Sequence, residues 1–300
     1  MASSGILLLD KPRSLSSNAA LQRVRALFDR QKAGHVGSLD PLATGMLPIC
    51  LGEATKIAGE ILAGRKCYRF TVTLGTRTAS GDAEGAVTGH AAVPPLEQPQ
   101  VESVLGRFLG AGQQVPPMYS ALKRDGQPLY RLARAGVTVE RSPRAIEIVQ
   151  LRLLALAPQA LELEVLCSKG TYVRVLAEDI AAALDTLGHV SALRREYVEP
   201  FEHEPMQTLE ALGQIRARGE RPPLLRPDAA LGHLPAVHLS PGEARRVRQG
   251  QPAGAADAPR GARVRLYDAE GFFGLGLTDG SGAVHPRRLL AAEPGATDAP

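Results

Sequence analysis

Two spacings of hydrophobic and polar residues alternate along this chain. Tyr68, Phe70, Val72 and Leu74 alternate with polar neighbours, as do Leu161, Leu163, Val165 and Cys167. A period of two marks a strand with one buried face. Residues 5–9 form an unbroken apolar run of strand length, ended by Asp10-Lys11-Pro12, and predict a buried strand. Further strands are expected over 144–154, 160–168 and about 189–197. Leu21, Val24, Leu27 and Phe28 share one helical face, and Ser16 or Ser17 can cap it, so a helix is expected over 18–30. Val101, Val104, Leu105 and Phe108 fall at i, i+3, i+4 and i+7. Val175, Leu176, Ile180 and Ala183 keep helical phase, which predicts a helix capped by Thr171 and running to Leu187. Shorter helices fit Ile57–Leu62, 129–135 and 209–218. Residues 34–45, 76–85 and 113–126 read as loops.

Residues 219–235 carry Pro222, Pro223, Pro227 and Pro235 and read as a linker. Beyond it, Ser240-Pro241-Gly242-Glu243 opens a short helix over 244–248. Three strands then follow at 262–267, 272–278 and 283–286, separated by glycine-rich turns. They predict a small β-barrel. The expected division is a large unit over 1–232, a small one over 236–292 and a frayed tail over 293–300.

Of the 300 residues, 44% are hydrophobic and 22% charged, which fits a globular chain with a real core and excludes disordered or collagen-like classes. No apolar run approaches the length of a membrane span, and the first one is too short for a signal peptide. Cys50, Cys67 and Cys167 are scattered without a CxxC pair, so a reducing cytoplasm is expected. Residues 1–150 hold 18 Lys and Arg against 12 Asp and Glu; residues 151–300 hold 17 against 19. Of the 35 basic residues 29 are Arg, a residue suited to phosphate and base contacts. A basic first half fits a polyanionic partner as well as it fits a solvated surface.

The usual cofactor machinery is missing. There is no phosphate loop, no dinucleotide fingerprint, no HExxH and no GxSxG elbow, and the seven His stand at no metal-ligand spacing. Neither a metal nor an organic cofactor is signalled. One segment stands out: Ala33-Gly-His-Val-Gly-Ser-Leu-Asp-Pro-Leu-Ala-Thr-Gly45. Its lone carboxylate, Asp40, sits among small residues and before Pro41, which holds it extended. Spacing alone leaves Asp40 open as nucleophile, general base, cap or turn residue.

This segment resembles the catalytic motif of the TruB-type pseudouridine synthases, which isomerise uridine 55 in the T-loop of tRNA. Gly5-Ile-Leu-Leu-Leu-Asp-Lys-Pro12 with Ser16-Ser-Asn18 resembles the family's opening. Gly45-Met-Leu-Pro-Ile-Cys-Leu-Gly-Glu-Ala-Thr-Lys56 continues the catalytic segment, and Tyr68-Arg69 followed by Gly75-x-Arg-Thr78 is similar to a second motif. Pro117-Met-Tyr-Ser-Ala-Leu-Lys123, Ser168-Lys-Gly-Thr-Tyr-Val-Arg174 and His189-Val-x-x-Leu-Arg-Arg195 match further blocks in the family's order, covering about 5–200. Where many members carry Asp after Gly-x-Arg-Thr, this chain has Ala79; Asp82 matches the later acidic position.

The resemblance implies an α+β fold. Its catalytic domain is built on a bent, mostly antiparallel mixed sheet flanked by helices, followed by a PUA-like barrel that binds RNA. Asp40 is then the nucleophile, acting by attack at C1′, by addition to the base or by assisting a glycal. Arg174 pairs with it, and Tyr68 offers a ring for the uracil and a hydroxyl for proton transfer. Tyr172 and Leu193 line the base pocket. His35 contacts RNA where the flipped base was, and Lys11 supports the loop. Residues 113–127 resemble the family's mobile insertion, with Lys123 and Arg124 as phosphate contacts; Lys169 is another. The expected partner is the T-stem-loop of tRNA, with no metal, no membrane, no guide RNA and no accessory protein, and the chain is expected to be a monomer. The alternative is a non-enzymatic RNA-binding or tRNA-folding protein on the same scaffold.

Overall fold

The computed structural model describes residues 4–124, 126–254 and 258–291. The expected tail over 293–300 lies outside the described residues. The chain begins with β1 (Gly5–Lys11), α1 (Ser17–Leu27), β2 (Ala33–His35) and β3 (Thr44–Leu51). A 3-10 turn over Gly52–Ile57 leads to α2 (Ala58–Ala63) and β4 (Lys66–Leu74), then the hairpin β5 (Thr76–Thr78) and β6 (Val87–His90). Next come α3 (Gln98–Gly106), β7 (Gly110–Gln114), β8 (Lys123–Arg124), β9 (Gln127–Pro128) and α4 (Leu129–Arg134). The long strands β10 (Arg144–Ala157) and β11 (Ala160–Cys167) precede α5 (Val173–Ala183), β12 (Gly188–Val198) and α6 (Leu209–Ala217).

Eight of these strands form one sheet, in the order β1-β3-β12-β4-β11-β10-β7, with β2 added to β3. Only the β12–β3 contact is parallel; the other pairs are antiparallel. Phe70, Val72, Leu163 and Val165 on the sheet pack with Leu21 and Val24 of α1, Val101 and Leu105 of α3, and Leu176 and Ile180 of α5. In β1, Leu7 and Leu9 join this core while Ile6 and Leu8 join a second one behind it. A strand buried on both faces has no polar positions to spare, which is why it reads as an unbroken apolar run.

After a 3-10 turn over Pro227–Leu231, the second unit holds β13 (Ala236–His238), α7 (Pro241–Arg248), β14 (Ala253–Gly254), β15 (Arg263–Asp268), β16 (Gly271–Thr278) and β17 (Ala283–Leu289). Its five strands run β13-β15-β16-β17-β14 and curl into a half-barrel. The helix opens as expected: Ser240 accepts from Glu243 N, and the Glu243 carboxylate accepts from Ser240 N, a capping box.

The structure departs from the sequence pattern in several places. Strand β3 went unread because Pro48 interrupts it, and proline cannot donate to a ladder; its carbonyl accepts from Val36 N at 2.8 Å. Strands β2 and β5 lie where loops were expected, and β5 pairs with β6 just beyond the second of those segments. Helix α5 is not capped by Thr171, whose hydroxyl instead donates to Ser168 O at 3.0 Å. It ends at Ala183 rather than Leu187, because Asp185 turns to a φ of +57°. Helix α1 stops at Leu27, before Asp29 and Arg30, which both have positive φ. The proline-rich stretch 219–235 is no free linker. Leu225 exchanges backbone bonds with Ile6 at 2.9 Å both ways. Ala230, Leu231 and Leu234 are buried with Ile6, Phe201 and, from the second unit, Leu275. Prolines there fix turns in a packed segment, and local composition does not distinguish that from a joint.

Candidate active site

The loop carrying Asp40 is held from three sides. Ser17, inside α1, accepts from Leu39 N at 2.7 Å and donates to Leu39 O at 3.0 Å. Lys11, fully buried at the end of β1, donates to Leu15 O at 2.7 Å, Pro12 O at 2.8 Å and Pro41 O at 3.5 Å. Arg195 on β12 is 1% exposed and donates to Gly37 O at 2.9 Å and Met46 O at 2.6 Å, so it holds both flanks of the loop. Glycine is required at 45: its φ is +97°, and a Cβ there would meet Arg195 O at 2.2 Å.

Asp40 faces Arg174 on α5. Arg174 Nε donates to Asp40 Oδ2 at 2.9 Å and Nη2 to Oδ1 at 3.4 Å, a two-pronged contact that fixes the carboxylate plane. The remaining donors of Arg174 go to Ser80 O at 2.5 Å and Tyr119 O at 2.6 Å. Its Nε also lies 3.8 Å from Asp82 Oδ2. The side chain of Arg174 is 4% exposed and that of Asp40 38%, so the carboxylate is the member of the pair that reaches solvent. Depth among protein atoms pushes the Asp40 carboxyl above its ordinary pKa; Arg174 opposes this and Asp82 adds to it.

Tyr68 on β4 and Leu193 on β12 are each 9% exposed. The register places Tyr68 opposite Arg195, and Leu193 opposite Phe70. Burial pushes the Tyr68 phenol above its ordinary pKa. Arg195 opposes that rise, and Asp40 is near enough for its charge to add to it. Tyr172 is half-buried just before α5, and burial raises its pKa, opposed by the Ser120 hydroxyl beside it. His35 in β2 is lowered by burial, with Arg195 adding to the effect, and its Nδ1 is buried with no hydrogen-bond partner. Lys169, Lys123 and Arg124 are exposed, the last donating to Glu140 O at 3.1 Å. Beside Leu193 runs a groove lined by Arg13, Arg69 and Arg194, of which Arg69 pairs with Glu162 and Arg194 with Asp10.

The fold thus brings Asp40 and Arg174 into direct contact, with Tyr68 close by. Lys11 reaches the loop through its backbone. Among the described residues, no three His, Cys, Asp or Glu side chains gather as a metal ion needs. Sequence reasoning gave no role to Arg195, Ser80, Tyr119 or Gln114, and matched Asp82 without one. The carbonyls of Ser80 and Tyr119 leave no trace in residue type; the Arg194-Arg195 pair in the last motif was the available signal for a buried arginine.

Burial lowers the Lys11 pKa from 10.5 to about 8. Between those values the unfolded chain keeps a proton the native protein has lost, so Lys11 makes stability rise with pH there. Urea unfolding of wild type and Lys11→Met is expected to show their free-energy difference moving in favour of wild type from about pH 8 to 10. A pH-independent difference would mean that the buried ammonium does not titrate early.

Comparison with known proteins places three family models along the chain. The model described as TruB family pseudouridylate synthase (N terminal domain) matches residues 25–173. The tRNA pseudouridylate synthase B C-terminal domain matches 174–227, and the pseudouridine synthase II TruB C-terminal model matches 235–290. A tRNA pseudouridine synthase B of Chromohalobacter salexigens is 48% identical over 288 residues, 95% of this chain and 94% of that protein. The protein of the same name in Pseudomonas aeruginosa is 48% identical over 292 residues, covering 96% of each. Among solved structures, a Cbf5-Nop10-Gar1 complex matches with a TM-score of 0.70 at 23% identity, covering 95% of this chain and 84% of that one. An H/ACA RNP bound to a substrate RNA matches with a TM-score of 0.72 at 20% identity, covering 97% and 86%. At that identity the likeness is one of fold.

Proposed function

This chain belongs to the TruB family of pseudouridylate synthases, and from that premise we infer that it isomerises uridine 55 in the T-loop of tRNA to pseudouridine. The enzymatic reading stands over that of an RNA-binding protein alone. The carrying observation is the Asp40–Arg174 pair, in which a buried guanidinium orients a carboxylate that reaches solvent.

The reaction breaks the N1–C1′ bond, turns the uracil and rejoins it through C5. It gains and loses no group. The base must first leave its stack, at a cost of a few kcal/mol. In our reading Asp40 is the nucleophile that adds and leaves again. Arg174 keeps it ionised against the desolvation that favours its protonated form. Tyr68 lays its ring against the uracil and, being protonated at neutral pH, has a hydroxyl proton to give. Leu193 and Tyr172 wall the base, and His35 occupies the gap left in the RNA. Lys11 keeps the loop in place. Lys123, Arg124 and Lys169 touch phosphates as exposed cations. The units 1–232 and 236–292 divide the work: the first carries the catalytic site, while the PUA-like second grips tRNA away from it.

We place the enzyme in the cytoplasm, acting as a monomer with no cofactor, guide RNA or accessory protein. Near full-length identity of 48% to tRNA pseudouridine synthase B proteins supports this over the more distant Cbf5 likeness. The test is to incubate the purified chain with a T-stem-loop transcript alone and map pseudouridine. Conversion at position 55 is expected; a requirement for any added RNA or protein would overturn the reading.

Tyr68→Phe separates packing from proton transfer. Single-turnover rate is expected to fall about a hundredfold or more with RNA affinity little changed. Tyr68→Leu is expected to lose binding as well, since a stacked aromatic contributes about 1–3 kcal/mol per base. A near-normal rate in the Phe variant would limit Tyr68 to packing.

A further inference from the structure

We propose that Gln114 is a positioning residue for the reaction: its side-chain amide pins the backbone of Tyr172, so that residues 114–120 hold Tyr172 and Arg174 in place against Asp40. The inference rests on the reading of Asp40 and Arg174 given above.

Gln114 is the last residue of β7, paired with Arg144 of β10 on the outer flank of the sheet, yet it is only 5% exposed. Its Oε1 accepts from Tyr172 N at 2.7 Å and its Nε2 donates to Tyr172 O at 3.1 Å. Both polar ends of one amide therefore bind both polar groups of one residue. Such a pairing works like one rung of a β-ladder and leaves the backbone at 172 little freedom to rotate. Tyr172 is the N-cap of α5 and provides no side-chain cap of its own. The amide of Gln114 thus takes up a donor that the helix start leaves open.

Two residues further on is Arg174. Its guanidinium is tied back to the same segment, because Nη2 donates to Tyr119 O at 2.6 Å. The stretch that begins at Gln114 therefore meets the α5 entrance twice: at the backbone of Tyr172 and at the tip of Arg174. The orientation of Asp40 depends on Arg174, so a shift of α5's first turn would reach the nucleophile. Misplacement by about 1 Å can slow a reaction on the order of a hundredfold.

The test compares wild type, Gln114→Ala and Gln114→Glu on the T-stem-loop, reading single-turnover rate at saturating RNA, RNA affinity and thermal melt. Gln114→Ala is expected to slow the chemical step by about 10- to 100-fold with affinity within about threefold. Gln114→Glu supplies the conservative arm. As a carboxylate it accepts from Tyr172 N but repels Tyr172 O. As a carboxylic acid it can do what the amide does. Arg144, which faces residue 114 across the β7–β10 ladder, and Arg174 and Asp40, whose charges act on Tyr172, are present in all three proteins. The ratio of the Glu variant's rate to wild type is expected to rise as pH is lowered, while the Ala ratio stays flat. A merely structural role predicts parallel profiles. The inference is overturned if folded Gln114→Ala reacts at the wild-type rate, if its defect lies in RNA affinity, or if the Glu ratio does not respond to pH. If the Ala variant fails to fold, the Glu profile alone decides. An inactive wild-type protein would instead overturn the functional reading itself.

Discussion

Asp40→Asn is expected to abolish pseudouridine formation while RNA affinity stays within about tenfold of wild type, roughly 1.4 kcal/mol. The substitution keeps the size and planarity of the side chain. It can still receive a hydrogen bond from Arg174, and the loop holding it is fixed mainly through backbone groups that the change does not touch: Leu39 by Ser17, Pro41 by Lys11 and Gly37 by Arg195. What disappears is the negative charge that must attack and then leave. In our reading the carboxylate is the reacting group, so no residue nearby can replace it. Asp82 is buried beside Arg174, and its Oδ1 is engaged by the Ser80 hydroxyl at 2.6 Å and Glu84 N at 3.1 Å. The measurement is pseudouridine yield under single-turnover conditions with enzyme in excess, beside a binding isotherm. Appreciable product from a preparation free of wild type would sink the assignment.

Arg174→Lys is expected to be nearly as damaging, and for a different reason. Both side chains carry one positive charge, but arginine here does four things at once: it contacts both oxygens of Asp40 and donates to the carbonyls of Ser80 and Tyr119. A lysine ammonium has three donors at one point and cannot span these acceptors. The two carbonyls are left unmet in a buried setting, a cost of about 1–3 kcal/mol each. The carboxylate also loses its planar partner. With burial raising the pKa of Asp40 and Arg174 lowering it, weakening the second effect moves the pKa further up. The acid limb of the rate–pH profile is therefore expected to move to higher pH, and the rate at neutral pH to fall by about a hundredfold or more. A Lys variant with an unshifted acid limb would separate Arg174 from the ionisation of Asp40. Because the substitution also strains the core, each rate is to be compared with a cooperative melt of the same sample.

The α+β class, most strands of the large sheet and the TruB family were legible from residue pattern and motif. Amphipathic periods in β4, β11 and α3 come from burying one face, and one face is what local spacing encodes. Legibility failed where a segment answers to more than one neighbour. Strand β3 is held by β1, β2 and β12 despite Pro48. Residues 219–235 look like a joint, yet Leu225 adds to β1 and Leu231 is buried in the second core. Helix α5 starts at Val173 with no Thr171 cap, because Thr171 turns back to Ser168 and the Gln114 amide takes Tyr172 N.

The sequence by itself singled out the candidate reacting groups: one carboxylate before a proline in a glycine-rich loop, an arginine and two tyrosines in family motifs. Those are properties of residue types at short spacing, and they survive without coordinates. The tertiary structure alone decided that Asp40 reaches solvent while Arg174 does not, that Asp82 is buried beside the pair, and that Arg195 grips both flanks of the loop. It also showed that the segment carrying Gln114 and Tyr119 closes on the start of α5. These partners stand 55 to 158 residues apart along the chain. Many of their contacts end on backbone carbonyls, which every residue possesses, so no choice of amino acid records them. Only the packing of the sheet against its helices brings a given carbonyl within reach of a given guanidinium.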